Sequence, residues 1–278
     1  MFKWPPPRRR TSIAVVIPSS NLSLYRDLRL KTRVIGEIAR ALSVFRVSAL
    51  GVFRDPDSAS GDHRLLLKIS KYMLVPPYLR VKTYSLDRDL RFVGLLPPLA
   101  IYPHNPENRP IAAGDIRFGL IVSELGLVDV GFEKLCRLVE ARHVRPGKIV
   151  LVRVNSVDPL ICSEILDSHI YTGYNVVNIP NWKKLRRFLK THDFVINTSK
   201  KGRPLNHILE REDFLQKLRN TRSICLLFGN PEKDFDELIE VDLKIDITVN
   251  FIPHQGTLTV RTYEALISTL TILNTLLE

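Results

Sequence analysis

Cysteine is scarce: Cys136, Cys162 and Cys225 are far apart, odd in number and never part of a CxxC pair. Neither a disulfide framework nor a thiolate zinc site is therefore expected. The seven histidines are scattered without HxxxH or HExxH spacing, so no metal is expected from them either. Long apolar runs are also missing, because Pro, Asp or Arg interrupts each before it reaches membrane-spanning length. The basic opening "MFKWPPPRRR" has no apolar segment behind it and does not read as a signal peptide; the expected setting is the cytoplasm, with no membrane partner. No GxGxxG follows the first strand and no GxxxxGK[ST] occurs, which argues against a dinucleotide fold and a P-loop. The GxSxG of a hydrolase elbow is absent too.

What is present is apolar material and positive charge. A hydrophobic fraction of 45% over 278 residues supports one large or two modest domains with a real core. The net charge is +12, and three quarters of it lies in residues 1–54, which hold eleven basic and two acidic residues. A concentrated positive field suits a polyanion, whose neutralisation releases counterions. A solvated basic tail accounts for Arg8 to Arg10. It does not account for Arg26, Arg29, Lys31, Arg33 and Arg40, which fall around a predicted helix. Arg26, Arg29 and Arg40 are the candidate nucleic-acid contacts, although Arg40 could instead cap a partner carboxylate.

The periodicities alternate. "TSIAVVIP" reads as a buried strand, "KTRVIGEIARALSVFRV" as a helix with Val34, Ile35, Ile38, Leu42 and Phe45 inward, and "SALGVFRD" as the next strand. "HRLLLKISKYML" is a further helix. From about Val81 to Ser163 the chain turns to short β-like runs: "DIRFGLIVSELG", "LVDVG", "CRLVEA" and "GKIVLVRVNS". Five or so short strands in this span suggest a small OB-like or S1-like barrel, or a β-rich insertion without a binding role. The α/β rhythm then returns. "YNVVNIP" is a strand and "NWKKLRRFLKTH" a helix with Trp182, Leu185, Phe188 and Leu189 inward. "DFVINTS" is a strand before the polar turn "KKGRP", "HILEREDFLQKLRN" is helical, "SICLLFGNP" is a strand and "EKDFDELIE" a short helix. "KIDITVNFIP" is the last strand before the final helix. Leu266, Leu270, Leu273 and Leu277 form a stripe on that helix. The expected division is 1–80, 81–165 and 166–278, with the α/β part interrupted by the barrel and resumed.

Three late strands end alike, in "VINTSKKGRP", "LLFGNPEKDFDEL" and "NFIPHQGTLTVRT". In a parallel sheet such ends share the edge where α/β ligands bind. Gly202, Gly229 and Gly256 allow close approach of main-chain donors to a ligand, and three ordinary αβ turns are the alternative reading.

"FIPHQGTLTVRTYEALISTL", "VINTSKKG", "LLFGNP", "YLRVKTYSLDRDLRFVGLLPPL" and "GEIARALSVFRVSALGVF" together resemble the SPOUT RNA methyltransferases. The resemblance is closest to the archaeal and eukaryotic branch with an inserted OB-like domain, and it runs from about residue 12 to the end. It implies an α/β parallel sheet with a C-terminal trefoil knot that binds S-adenosylmethionine. Thr198, Ser199 and Gly202 would form the first cofactor loop, and Phe228, Gly229, Asn230 and Pro231 the second. Ile252, Pro253, Gln255, Gly256, Thr257 and Thr259 would form the third. It further implies a homodimer through the last helix and an RNA substrate, in this branch uridine N3 of large-subunit ribosomal RNA. A non-catalytic ribosome assembly factor and a transfer-RNA methyltransferase are the alternatives. A ring nitrogen that must lose a proton benefits from a nearby cation. Lys31, Arg33 and Arg261 are the catalytic candidates, with phosphate contact or surface charge as their other reading.

Overall fold

The structure is a computed structural model that describes residues 3–105, 107–139, 145–210, 212–239 and 241–277. The chain divides into two compact units: Met1–Arg8, Tyr72–Arg91 and Pro98–Thr172 form one, and Arg9–Lys71, Phe92–Pro97 and Gly173–Glu278 form the other.

In chain order the elements are β1 (Ser12–Pro18), α1 (Leu28–Val44), β2 (Ala49–Phe53), α2 (Asp62–Leu74), α3 (Pro77–Thr83), β3 (Ile116–Ile121), β4 (Leu127–Asp129), β5 (Cys136–Leu138), β6 (Ile149–Val157) and β7 (Leu160–Glu164). They continue with β8 (Asn175–Ile179), α4 (Trp182–Lys190), β9 (Phe194–Pro204), α5 (Leu205–Leu209), α6 (Glu212–Asn220), β10 (Ser223–Phe228), β11 (Ile247–Asn250) and α7 (Thr262–Leu277).

The larger unit is built on a six-stranded sheet of order β11-β9-β10-β1-β2-β8. Every pairing in it is parallel. Strands covered on both faces need continuous apolar runs, and Ile13 to Ile17 and Ile224 to Phe228 supply them, all buried. The steps β1 to β2 and β8 to β9 cross the sheet in opposite directions. Right-handed crossovers therefore set α1 and α4 on opposite faces. On the α4 face Leu185 and Leu189 pack with Ala14, Val16, Val195, Leu227 and Phe235. Each of these helices starts at a capping side chain: Asp27 accepts from Leu30 N at 2.8 Å, and Asn181 accepts from Lys184 N at 3.0 Å.

The smaller unit carries a closed barrel of order β3-β4-β5-β7-β6, in which β5 and β7 run parallel and the other pairs antiparallel. Val128, Val130, Val150, Val152 and Val154 fill it. Leu79 of α3 packs on Leu120 beside it.

Three expectations need correction. Cys136 and Cys162 are joined as a disulfide, because the parallel β5–β7 pairing sets Leu138 opposite Cys162 and turns both thiols into the barrel core. Linear spacing carries no trace of that closure. The segment expected as a polar turn, "KKGRP", is instead the extended end of β9, because Arg203 and Pro204 pair with Val249 and Asn250 after a register shift. Trp182 is 39% exposed rather than inward. It sits at the border of the apolar stripe, roughly 65° from the stripe's centre, and in the first turn, where no second layer covers it. The expected run "CRLVEA" extends into 140–141, outside the described residues.

Candidate functional site

The chain leaves β1 for β2 on one side and β10 for β11 on the other, so the sheet order reverses between β1 and β10. That point is where parallel α/β sheets open a crevice at the carboxyl ends of their strands. Small polar residues fill the crevice here. Asn230 Nδ2 donates to Ser20 Oγ at 3.0 Å. Asn21 Nδ2 donates to Gly229 O at 3.1 Å and to Pro18 O at 3.2 Å, and Asn21 Oδ1 accepts from Thr262 Oγ1. Asn21, only 3% exposed, thus ties the end of β1, the loop after β10 and the start of α7 together.

Beside this network lies a cleft of ≈ 190 Å³ at the ends of β9, β10 and β11, with α7 as its far wall. From β9 it takes Thr198 and Ser199, and from the β10 loop Phe228, Gly229, Asn230 and Pro231. Ile252, Gln255 and Thr259 come from the loop after β11, and Thr262, Ala265 and Thr269 from α7. Gly202, Pro253, Gly256 and Thr257 are outside this lining.

The loops are held by their own polar side chains. Thr198 Oγ1 donates to Leu227 O at 2.8 Å, and Ser199 Oγ donates to Asp234 Oδ2 at 2.7 Å. Asn230 Oδ1 accepts from Glu232 N at 2.9 Å and from Lys233 N at 2.6 Å, which closes the Gly-Asn-Pro turn. Lys201 bridges Glu237 and Asp234, and the Glu237 contact both raises the Lys201 pKa and lowers that of Glu237. Asn250 Nδ2 donates to Lys200 O at 3.0 Å, and Asn250 Oδ1 accepts from Ile252 N at 2.9 Å, so one side chain joins strand β9 to the loop after β11.

Two of the three glycines have steric reasons inside the protein. A Cβ on Gly229 would lie 2.4 Å from Lys233 O, and one on Gly202 would lie 2.8 Å from the Val249 backbone. A Cβ on Gly256 meets nothing within 4 Å.

The cleft does not gather the catalytic candidates. Lys31 Nζ lies 2.5 Å from Asp62 Oδ1 in a mostly buried pair between α1 and α2. Arg33 is exposed and pairs with Glu37 at 3.0 Å. Arg261 is next to the lining residues Val260 and Thr262. Its main-chain N–H donates to Glu264 Oε2 at 2.9 Å, and its guanidinium reaches Tyr263 OH at 3.4 Å, a contact that raises its pKa. Of the RNA candidates, Arg26 is exposed, Arg29 stacks over Phe92 at 5.3 Å, and Arg40 is half-buried and has partners. Among the described residues no cluster of three or more His, Cys, Asp or Glu could hold a metal, and no helix is long and apolar enough to cross a membrane.

The sequence reading missed Ser20 and Asn21. Their signal is the one used for the later loops: a buried strand that stops at Pro18 and runs into small polar residues, "PSSN".

A parallel, doubly wound sheet with a polar crevice and an adjoining cleft at its switch point defines an α/β ligand-binding protein. Residues 12–273 match the family model described as "Putative RNA methyltransferase", and the chain belongs to that family. It is 31% identical to an uncharacterised protein of Haloarcula marismortui, over 94% of this chain and 98% of that one. It is also 27% identical to the Homo sapiens 28S rRNA (uridine-N(3))-methyltransferase, over 94% of this chain and 77% of that protein. Among solved structures it is similar to the SpoU methyltransferase AviRb from Streptomyces viridochromogenes, at 11% identity and a TM-score of 0.36, covering 97% of this chain and 60% of that chain.

Proposed function

We propose that the chain is an S-adenosylmethionine-dependent RNA methyltransferase that acts on a base of large-subunit ribosomal RNA, uridine N3 being the favoured atom. The observation that carries this reading is the convergence of β9 with the loops after β10 and β11 on one cleft, in a chain of an RNA methyltransferase family. The curated human relative is named for uridine-N3 methylation of 28S rRNA.

The residues fit the cofactor. Phe228, Ile252 and Ala265 offer apolar surface to a nucleoside, and the polar side chains of Thr198, Asn230 and Gln255, each hydrogen-bonded within the protein, hold the rest of the lining in place. When bound, the cofactor supplies a methyl group on a sulfonium. The chain's task is to align it with the acceptor, and positioning provides most of the acceleration. Asn230 and Asn250 lock two loops in register, and Asn21 fixes the Gly229 carbonyl and α7 around the same opening. Arg261, a sequence neighbour of lining residues, would be the cation that favours an anionic ring nitrogen. Lys31 and Arg33 are engaged with the carboxylates of Asp62 and Glu37.

A SPOUT knot formed by the segment after β9, an RNA-holding role for the barrel, RNA contacts from Arg26, Arg29 and Arg40, and a homodimer through α7 complete the proposal. The barrel's five-strand order with one parallel pair supports the OB-like reading. Leu258, 85% exposed, and Ile267, 46% exposed, are apolar surface near the cleft that a second subunit would cover. Calorimetry with S-adenosylmethionine tests the cofactor assignment. Saturable binding at micromolar concentrations is expected, and no heat at millimolar cofactor would leave the non-catalytic assembly factor as the better reading.

A further inference from the structure

We infer that the outward face of α4 is a second RNA-contact surface, which grips the phosphate backbone of the RNA presented to the cleft. This rests on the RNA methyltransferase reading and adds where the RNA runs. Between Asp167 and Asp193 the chain has no acidic residue, yet it places Lys183, Lys184, Arg186, Arg187 and Lys190 on this one helix, all exposed. Lys183, Arg187 and Lys190 line up along about 10 Å of helix. Some helix cations elsewhere are neutralised: Lys217 of α6 pairs with Asp246 and Arg33 of α1 with Glu37. Among the described residues no carboxylate pairs with Lys183, Lys184, Arg187 or Lys190. Arg186 donates to Asp242 O at 2.8 Å.

The arrangement works against the helix itself. Like charges three and four residues apart repel, and Lys183 and Lys184 in the first turn oppose the positive end of the dipole, whereas Arg187 and Lys190 in the last turn suit its negative end. A local conflict that persists in an otherwise consistent fold marks a functional surface, and a polyanion relieves both terms. The half-exposed Trp182 adds an aromatic surface, with Lys183 Nζ 5.7 Å and the Arg186 guanidinium 5.5 Å from its ring centre. Because α4 follows β8, its first turn stands at the same sheet edge as the cleft. Three inter-strand steps separate β8 from β10, about 14 Å. The start of α1, with Arg26 and Arg29, lies at this edge too, on the opposite face from α4. RNA spanning the two would cross the crevice.

The test uses the full chain with Lys183→Glu, Arg187→Glu and Lys190→Glu combined, and the Gln triple variant should the Glu one fail to fold. The probe is a transcribed fragment of large-subunit ribosomal RNA, titrated by anisotropy over a range of KCl. At least a tenfold loss of affinity and a log–log salt slope shallower by about two are expected, at roughly 0.7 to 0.9 per lost cation. S-adenosylmethionine affinity should stay as in the unaltered chain. Unchanged RNA affinity and slope would overturn the inference, and concurrent loss of binding to anionic phospholipid vesicles would assign the face to a membrane instead. Should the unaltered chain itself bind no RNA, the parent reading fails and the inference with it.

Discussion

Gly229 and Gly256 look alike in sequence and differ in what surrounds them. Adding a methyl at Gly229 forces the β10 loop away from Lys233 O, whereas Gly256 faces open space. Gly229→Ala is expected to raise the cofactor Kd at least tenfold. Gly256→Val should leave the melting temperature unchanged and the Kd within about threefold, both read by calorimetry and thermal melts. The reverse order would show that the loop after β11, not the β10 loop, closes on the ligand. His104 offers a test in the barrel-bearing unit. Burial lowers its pKa to about 4, and its Nε2 lies 2.9 Å from Leu74 O. Because the folded value lies below the ordinary 6.5, the unfolded chain takes up the proton first as pH falls. The stability linked to neutral His104 is thus complete above pH 6.5 and drains away between pH 6.5 and 4, by about 3 kcal/mol. An NMR titration should find the ring unchanged at pH 6 and titrating near 4; a midpoint near 6.5 would refute its burial.

The elements were largely legible, since most are strongly periodic and several are bounded by Pro or a capping residue, as with Pro18 at the end of β1 and Asn181 before α4. What escaped depends on partners distant in the chain. β9 runs on through Pro204 only because β11 pairs with it again past a register shift. The Cys136–Cys162 bond exists only because the barrel closes. The charge sum hid α4 for a similar reason: residues 166–278 hold fifteen basic and fourteen acidic residues, a near balance that conceals their segregation onto separate elements. For α1, the functional reading of Lys31 and its packing role predict different outcomes. Lys31→Met leaves the Asp62 carboxylate buried without its cation, and Asp62 Oδ2 already has no partner. Loss of about 3 kcal/mol is expected, read from urea melts, with much of it recovered by adding Asp62→Asn. Methyl-transfer rate per folded molecule should stay within about threefold. A collapse of that rate at full stability would return Lys31 to the catalytic centre.

At the scale of the whole molecule, the site was legible as an edge rather than as a mechanism. Three strand-end loops pointed to one rim of a parallel sheet, and the structure gathers residues from all three there. Which cation serves the chemistry was not legible, because Lys31, Arg33 and Arg261 are equivalent as letters and only their partners distinguish them. The charge gradient along the chain likewise pointed toward a polyanion without pointing to the basic face of α4. The account depends on the cleft transferring a methyl group to RNA. The most direct measurement is incubation of the full chain with methyl-labelled S-adenosylmethionine and unmodified large-subunit ribosomal RNA, followed by digestion and nucleoside analysis. Label confined to 3-methyluridine is the predicted result. Cofactor binding without label in any nucleoside of ribosomal or transfer RNA would contradict it.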